Sequence, residues 1–221
     1  MARPEGLAPR AVLWDLDGTL ADSSVHHWRS WQAVLADEGV GITEVDFRAT
    51  FGQRNEEILR RWLGPDTDAD RIRRVGEAKE RVYRALVRAE GLAPLPGAAE
   101  WIRHLHEEGW RQAIASSAPR ENIEVMHTAL SLEGLIDTTV GAEDVLTGKP
   151  DPEVFQVAAT RLEVPPSRCV VVEDAEAGIE AARRAGMASI GVGREAGARA
   201  DTAVEALTEL VPGAFDALVE G

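Results

Sequence analysis

Cysteine is almost absent from this chain: 221 residues carry one, Cys169. A lone thiol excludes a disulfide framework, and its place in the run Cys169-Val170-Val171-Val172 marks it as a buried, inert core residue. Lysine is nearly as scarce. Of 24 basic residues only Lys79 and Lys149 are lysine; the rest are arginine. The two types are nearly equivalent on a solvated surface but differ where a compact ammonium is needed, so both positions stand out. Chance survival is the competing reading, stronger for Lys79 than for Lys149. Positive charge as a whole is in deficit. A net charge of −14 speaks against adhesion to nucleic acid or to anionic lipid. No apolar stretch is long enough to cross a bilayer, and the opening MARPEGLAPR lacks the apolar centre of a secretion signal. It reads as a loose leader. A monomeric cytoplasmic protein that binds neither nucleic acid nor membrane is the expectation.

Hydrophobic residues make up 44% of the chain, ample for a core. Ala11–Asp15 reads as a buried strand. From there to about residue 92 every periodic segment is helical. One helix spans Ser24–Glu38, with Val25, Trp28, Trp31, Val34 and Leu35 on one stripe. Others cover Thr43–Phe51, Asn55–Leu63 and Asp70–Ala89. Beyond Ala93-Pro94-Leu95-Pro96-Gly97 the pattern alternates. Strands are predicted at Gln112–Ala115, Thr138–Val140, Cys169–Val172 and Ala188–Val192. Helices separate them at Ala98–Glu108, Glu121–Leu130, Glu153–Arg161 and Ala177–Ala185. Alternation of this kind specifies a parallel sheet covered on both faces. The first strand needs that sheet, so residues 22–92 become a helical insertion above its carboxyl end, placed to act as a lid.

Chemistry collects at the same edge of the sheet. The first strand runs into Asp15-Leu16-Asp17-Gly18. The second ends in Ser116-Ser117, the third is followed by Gly148-Lys149-Pro150, and the fourth ends in Glu173-Asp174. One Asp/Gly turn is unremarkable, but four polar strand ends at the ligand-binding edge of an α/β sheet are not. Asp15, Asp17, Glu173 and Asp174 offer hard oxygen ligands suited to Mg²⁺. Histidine and cysteine are missing from the set, which disfavours Zn²⁺. Lys149 supplies balancing charge, and Ser116 with the following helix start can hold an anion. Metal, ammonium, hydroxyl and helix terminus are the parts of a phosphoryl-transfer site, where one carboxylate can attack phosphorus.

These motifs, in this order, resemble the haloacid dehalogenase superfamily, in its group with a helical cap and alongside enzymes similar to β-phosphoglucomutase and phosphoglycolate phosphatase. The resemblance covers nearly all of residues 10–211 and rests on Asp15-Leu16-Asp17-Gly18-Thr19, Ser116, Gly148-Lys149-Pro150-Asp151-Pro152 and Glu173-Asp174-Ala175-Glu176-Ala177-Gly178-Ile179. It implies an α/β fold with a Rossmann-like parallel-sheet core from residues 1–21 and 93–221, and an all-helical cap domain at 22–92. It implies Asp15 as nucleophile and Mg²⁺ ligand, and Asp17 as general acid/base with its backbone carbonyl on the metal. Ser116, with Ser117 beside it, would bind phosphate; Lys149 would bridge nucleophile and phosphate; Asp174 and Glu173 would complete the metal site. Gly178 would let its helix approach the acidic pair. Dehalogenation itself is not expected, because dehalogenases proper lack the second aspartate.

In the cap the resemblance is looser. His27 matches a position near the acid/base, Arg54 one that clamps a second phosphate or sugar hydroxyls, and Lys79, with Tyr83 one turn on, a lysine of the mutases. The competing readings are a solvated helix-start histidine and an ordinary surface arginine. Expected activity is Mg²⁺-dependent dephosphorylation of a small phosphorylated metabolite, a sugar phosphate by preference, through an aspartyl-phosphate. A β-phosphoglucomutase-like isomerase using the same phospho-aspartate is the alternative, and Thr19 leans against it because many mutases carry valine there. A non-catalytic metabolite-binding protein is the remote third.

Overall fold

The computed structural model describes residues 8–50, 52–193 and 199–219. Fifteen of its elements carry the description. They run β1 (Ala11–Trp14), α1 (Ser24–Asp37), α2 (Glu44–Arg48), α3 (Asn55–Leu63), α4 (Ala69–Glu90), α5 (Ala98–Glu107), β2 (Arg111–Ala115), α6 (Arg120–Ala129), β3 (Thr138–Val140), α7 (Glu153–Leu162), β4 (Cys169–Glu173), α8 (Glu176–Ala185), β5 (Ala188–Val192), β6 (Thr202–Val204) and α9 (Asp216–Val219). The six strands form one parallel sheet in the order β3-β2-β1-β4-β5-β6. β1 lies between β2 and β4, with Trp14 level with Ile114 on one side and Val172 on the other. β1 and β4 are neighbours in space but not in sequence. Their connections leave on opposite sides, which opens the crevice where α/β sheets bind ligands.

Alternation along each buried strand divides the core in two. Val12, Trp14, Ile114, Val170 and Val172 pack with α5, α6 and Phe215 on one face. Leu13, Ala113, Ala115 and Val171 pack with α7 and α8 on the other. A third cluster, containing Trp31, Leu35, Phe47, Ile58, Leu59 and Val75, closes the helical insertion on itself. Cys169 is fully buried and burial pushes its thiol up to about 12, so it is inert at neutral pH.

Three details differ from the sequence reading. Helix α2 is short, ending near Ala49, because the Thr50 hydroxyl turns back to the carbonyls of Phe47 (2.9 Å) and Asp46 (3.3 Å); Phe51 lies outside the described residues. The expected leader lies outside them up to residue 7, but residues 8–10 are pinned. Arg168 donates to the carbonyls of Pro9 (3.0 Å) and Ala8 (3.2 Å), and Arg10 stacks 4.5 Å from the Trp110 ring centre. Edge strand β6 and helix α9 were not anticipated. β6 is three residues, two half-buried around an exposed Ala203, with no apolar run, so it carries no periodic signal.

Gly178 fixes the distance between α8 and β4. A Cβ there would sit 1.9 Å from Glu173 Oε1 and 2.0 Å from its carboxyl carbon, a contact that only displacement of Glu173 or the helix relieves. Gly178→Ala is expected to lower stability by about 1–3 kcal/mol, read by thermal or denaturant melting. An unchanged midpoint would show that α8 does not need this glycine.

Candidate active site

The turn after β1 brings two aspartates to different surroundings. Asp15 is the first residue past the strand, with its amide on the carbonyl of Val172 (2.9 Å). Leu16 between them is fully buried, and the two carboxylates reach different partners, Lys149 for Asp15 and Ser23 with His27 for Asp17. Gly18 then adopts φ +91°, in the left-handed region that glycine occupies without strain. Space demands glycine too, since a Cβ would fall 2.0 Å from Asp174 Oδ2.

Asp15, Glu173 and Asp174 bring carboxylate oxygens within 4.8 Å of one another. Lys149 reaches into this group from the loop after β3. Its Nζ donates to Asp15 Oδ1 (2.5 Å), Glu173 Oε1 (2.6 Å) and the carbonyl of Ala115 (3.1 Å). Burial alone would lower this ammonium, but Asp15 and Glu173 outweigh it and hold it above its usual range. One cation does not balance three carboxylates. Burial, with the charges of Glu173 and Asp174 added, raises Asp15 despite Lys149. Burial and Glu173 bring Asp174 up to about 7. A compact cluster of hard oxygens with surplus negative charge fits a divalent cation of the Mg²⁺ kind. No histidine or cysteine belongs to it, which agrees with the donor chemistry expected from the sequence.

The Asp17 carboxylate stands apart from that cluster. It accepts a short hydrogen bond from the Ser23 hydroxyl, and its Oδ1 lies 3.3 Å from His27 Nε2. Burial would raise Asp17, yet His27 and Ser23 together hold it below its usual range. Two carboxylates two residues apart thus have different partners: Lys149 for Asp15, Ser23 and His27 for Asp17.

Ser116 is buried, with its amide on the Val140 carbonyl (3.0 Å) and its Oγ accepting from the Ala118 amide (3.1 Å). Ser117 is half-buried beside it. Arg54 precedes α3 and packs against the loop residue next to Lys149: a Cβ on Gly148 would lie 2.9 Å from Arg54 Nε. Its Nε and one terminal nitrogen are buried without a protein partner. His27 faces Asp17 and stacks on Tyr83 with ring centres 4.0 Å apart, so it is not a solvated helix-start residue. Lys79 departs from the expected substrate contact. It is 2% exposed, and its ammonium is engaged by His27 Nδ1 (2.7 Å) and Glu80 Oε1 (2.9 Å). It supports His27 from behind rather than facing open space.

Ser23 and Glu80 are the polar partners that the sequence did not mark. Ser23 precedes a helix and so reads as a cap, yet its side chain makes no cap bond and goes to Asp17. Glu80 had no signal of its own, since adjacent helix residues do not face each other. A cleft of about 530 Å³ opens between α3, α4 and the loops after β2 and β3, with Asn55, Gly76, Glu80, Arg84, Pro119 and Glu121 among its walls.

The profile of the family described as haloacid dehalogenase-like hydrolase matches residues 12–192. The chain is 32% identical over 212 residues to the validoxylamine A 7'-phosphate phosphatase of Streptomyces hygroscopicus subsp. limoneus, covering 91% of this chain and 95% of that protein. It is 31% identical over 195 residues to the beta-phosphoglucomutase of Bacillus subtilis, covering 84% of each. The crystal structure of CbbY from Rhodobacter sphaeroides in complex with phosphate superposes with a TM-score of 0.86 at 28% identity, over 94% of this chain and 99% of that one.

Asp174 yields a signed expectation. The folded, metal-free protein keeps this carboxyl protonated up to about pH 7, whereas the unfolded chain releases the proton near the ordinary 3.8. Folding stability therefore falls as pH rises between those values. Without divalent cation, Asp174→Asn is expected to melt above the parent protein at neutral pH and to converge with it near pH 4. Mg²⁺ is expected to raise the melting temperature of the parent and not of the variant. Equal Mg²⁺ shifts in both would remove Asp174 from the metal site.

Proposed function

We propose the following reaction for this chain, which belongs to the haloacid dehalogenase-like hydrolase family and is one of its phosphatases: hydrolysis of a small phosphorylated metabolite, by preference a sugar phosphate, through an aspartyl-phosphate on Asp15. The observation that carries it is the convergence of Asp15, Glu173 and Asp174 at one sheet edge, with Lys149 bonded to two of them. Asp15 shares Lys149 with Glu173, while Asp17 is held ionised by Ser23 and His27. Lys149 fixes Oδ1 of Asp15, leaving Oδ2 as the attacking atom. Ser116 and the amides after it hold phosphate oxygens, and Lys149 neutralises charge on the transferred group. Asp17 protonates the leaving oxygen when its carboxyl carries a proton, then takes one from the water that opens the aspartyl-phosphate. Asp15, Asp174 and the Asp17 carbonyl would hold Mg²⁺, with Glu173 adjoining; when bound, the ion offsets the charge that phosphate adds to an already anionic pocket. The helical insertion, residues 22–92, serves as the cap, with Arg54 directed to the non-reacting part of the substrate.

A second reading, a β-phosphoglucomutase-like isomerase, draws on the cap's His27 buried against Asp17 and on the relative of that name. In it the cap excludes water and the phosphoryl group passes to a substrate hydroxyl. Both readings use the same core groups.

Asp15→Asn is expected to reduce turnover of a phosphorylated-metabolite panel by roughly a thousandfold or more while the protein remains folded. Lys149→Arg is expected to cost about a hundredfold, because a planar fork cannot replace a point donor at that spot. Normal rates in either would remove that residue from the chemistry. Incubation with β-glucose 1-phosphate, Mg²⁺ and a trace of the 1,6-bisphosphate separates the two readings. Free phosphate supports hydrolysis, and accumulating glucose 6-phosphate supports the isomerase.

A further inference from the structure

Glu80 follows Lys79 on α4, is 6% exposed, and has no part in the reaction above. A buried carboxylate is costly unless its oxygens are filled by donors, and here they are filled from three elements. Oε1 accepts from Asn55 Nδ2 of α3 (2.6 Å) and from Lys79 Nζ (2.9 Å), and Oε2 accepts from Asn122 Nδ2 of α6 (2.6 Å). Asn122 is 1% exposed, and its Oδ1 accepts from Arg84 (3.1 Å), which fixes the orientation of its amide. Glu80 is therefore held rigidly, and it holds Lys79 in turn.

The consequence reaches Asp17 through donor and acceptor logic. An ammonium only donates. With Lys79 Nζ 2.7 Å from His27 Nδ1, that nitrogen must accept, so the neutral ring carries its hydrogen on Nε2. Nε2 is the atom 3.3 Å from Asp17 Oδ1. Burial drives Lys79 toward the neutral amine, which could accept as well as donate, and Glu80 is the main opposing charge. Trp31 and Tyr83, whose ring centres lie 5.2 and 5.3 Å from the ammonium, add a weaker attraction.

We propose that Glu80 is a positioning residue for Asp17: by anchoring Lys79 as a donor to Nδ1, it locks His27 in the tautomer that presents Nε2–H to the Asp17 carboxylate. This rests on the reading of Asp17 as the acid/base, and it is tested without turnover, so either can fail while the other stands.

The test is two-bond ¹H–¹⁵N correlation of the histidine rings in the uniformly ¹⁵N-labelled full chain, with His27 assigned by its loss in His27→Gln. The parent protein is expected to show His27 as a single Nε2–H tautomer. Glu80→Gln, which removes the charge and turns an amide donor toward Asn122, is expected to abolish that purity and give averaged tautomer signals, while the other histidine rings keep theirs. Glu80→Asp, which restores the charge, is expected to recover the single tautomer. Should Glu80→Gln not fold, Lys79→Met removes the same anchor in apolar surroundings and is expected to give the same averaging. An Nδ1–H tautomer in the parent, or an unaltered Nε2–H tautomer in the folded Glu80→Gln or Lys79→Met protein, overturns the proposal.

Discussion

One ammonium group organises this site. Lys149 Nζ lies between Asp15 and Glu173, which come from adjacent strands, and also holds the carbonyl at the end of β2. Three strand ends are tied to one loop by a single point donor. Without it, three carboxylates, two of them buried, would sit within mutual repulsion distance, a costly arrangement. With it, the cluster persists but keeps a negative surplus, the charge balance that suits a divalent cation. Lysine suits this place because it converges on oxygens from three directions, which a planar guanidinium does not.

The second constraint is the separation of Asp15 from Asp17. A turn with a fully buried Leu16 between them sends one carboxylate toward Lys149 and the other toward Ser23 and His27. Gly18 makes the turn feasible and leaves room for Asp174. Local backbone geometry thus gives two nearby carboxylates different partners and different proton affinities. The helical insertion takes part in this. His27 is its contribution to Asp17, and Lys79 and Glu80 stand behind His27 in a polar chain that ends on α6 of the sheet domain. Seating of the insertion and placement of the Asp17 carboxylate are therefore mechanically linked.

Periodicity along the chain determined the strands at Ala11, Gln112, Thr138, Cys169 and Ala188, the helical stretch between residues 22 and 92, and the meeting of Asp15, Lys149, Glu173 and Asp174 at one sheet edge. It could do so because burial on both faces writes a continuous apolar run, and because parallel strands all deliver their ends to the same side. The scarcity of lysine marked both positions that proved buried and ion-paired. Only the tertiary structure decided that Lys79 turns inward to His27, that Ser23 serves Asp17 instead of capping its helix, and that Glu80 meets Asn122 forty-two residues away. Those outcomes depend on which faces of α1, α4 and α6 come together, and hydrogen bonds between distant side chains leave no periodic trace in the chain that makes them.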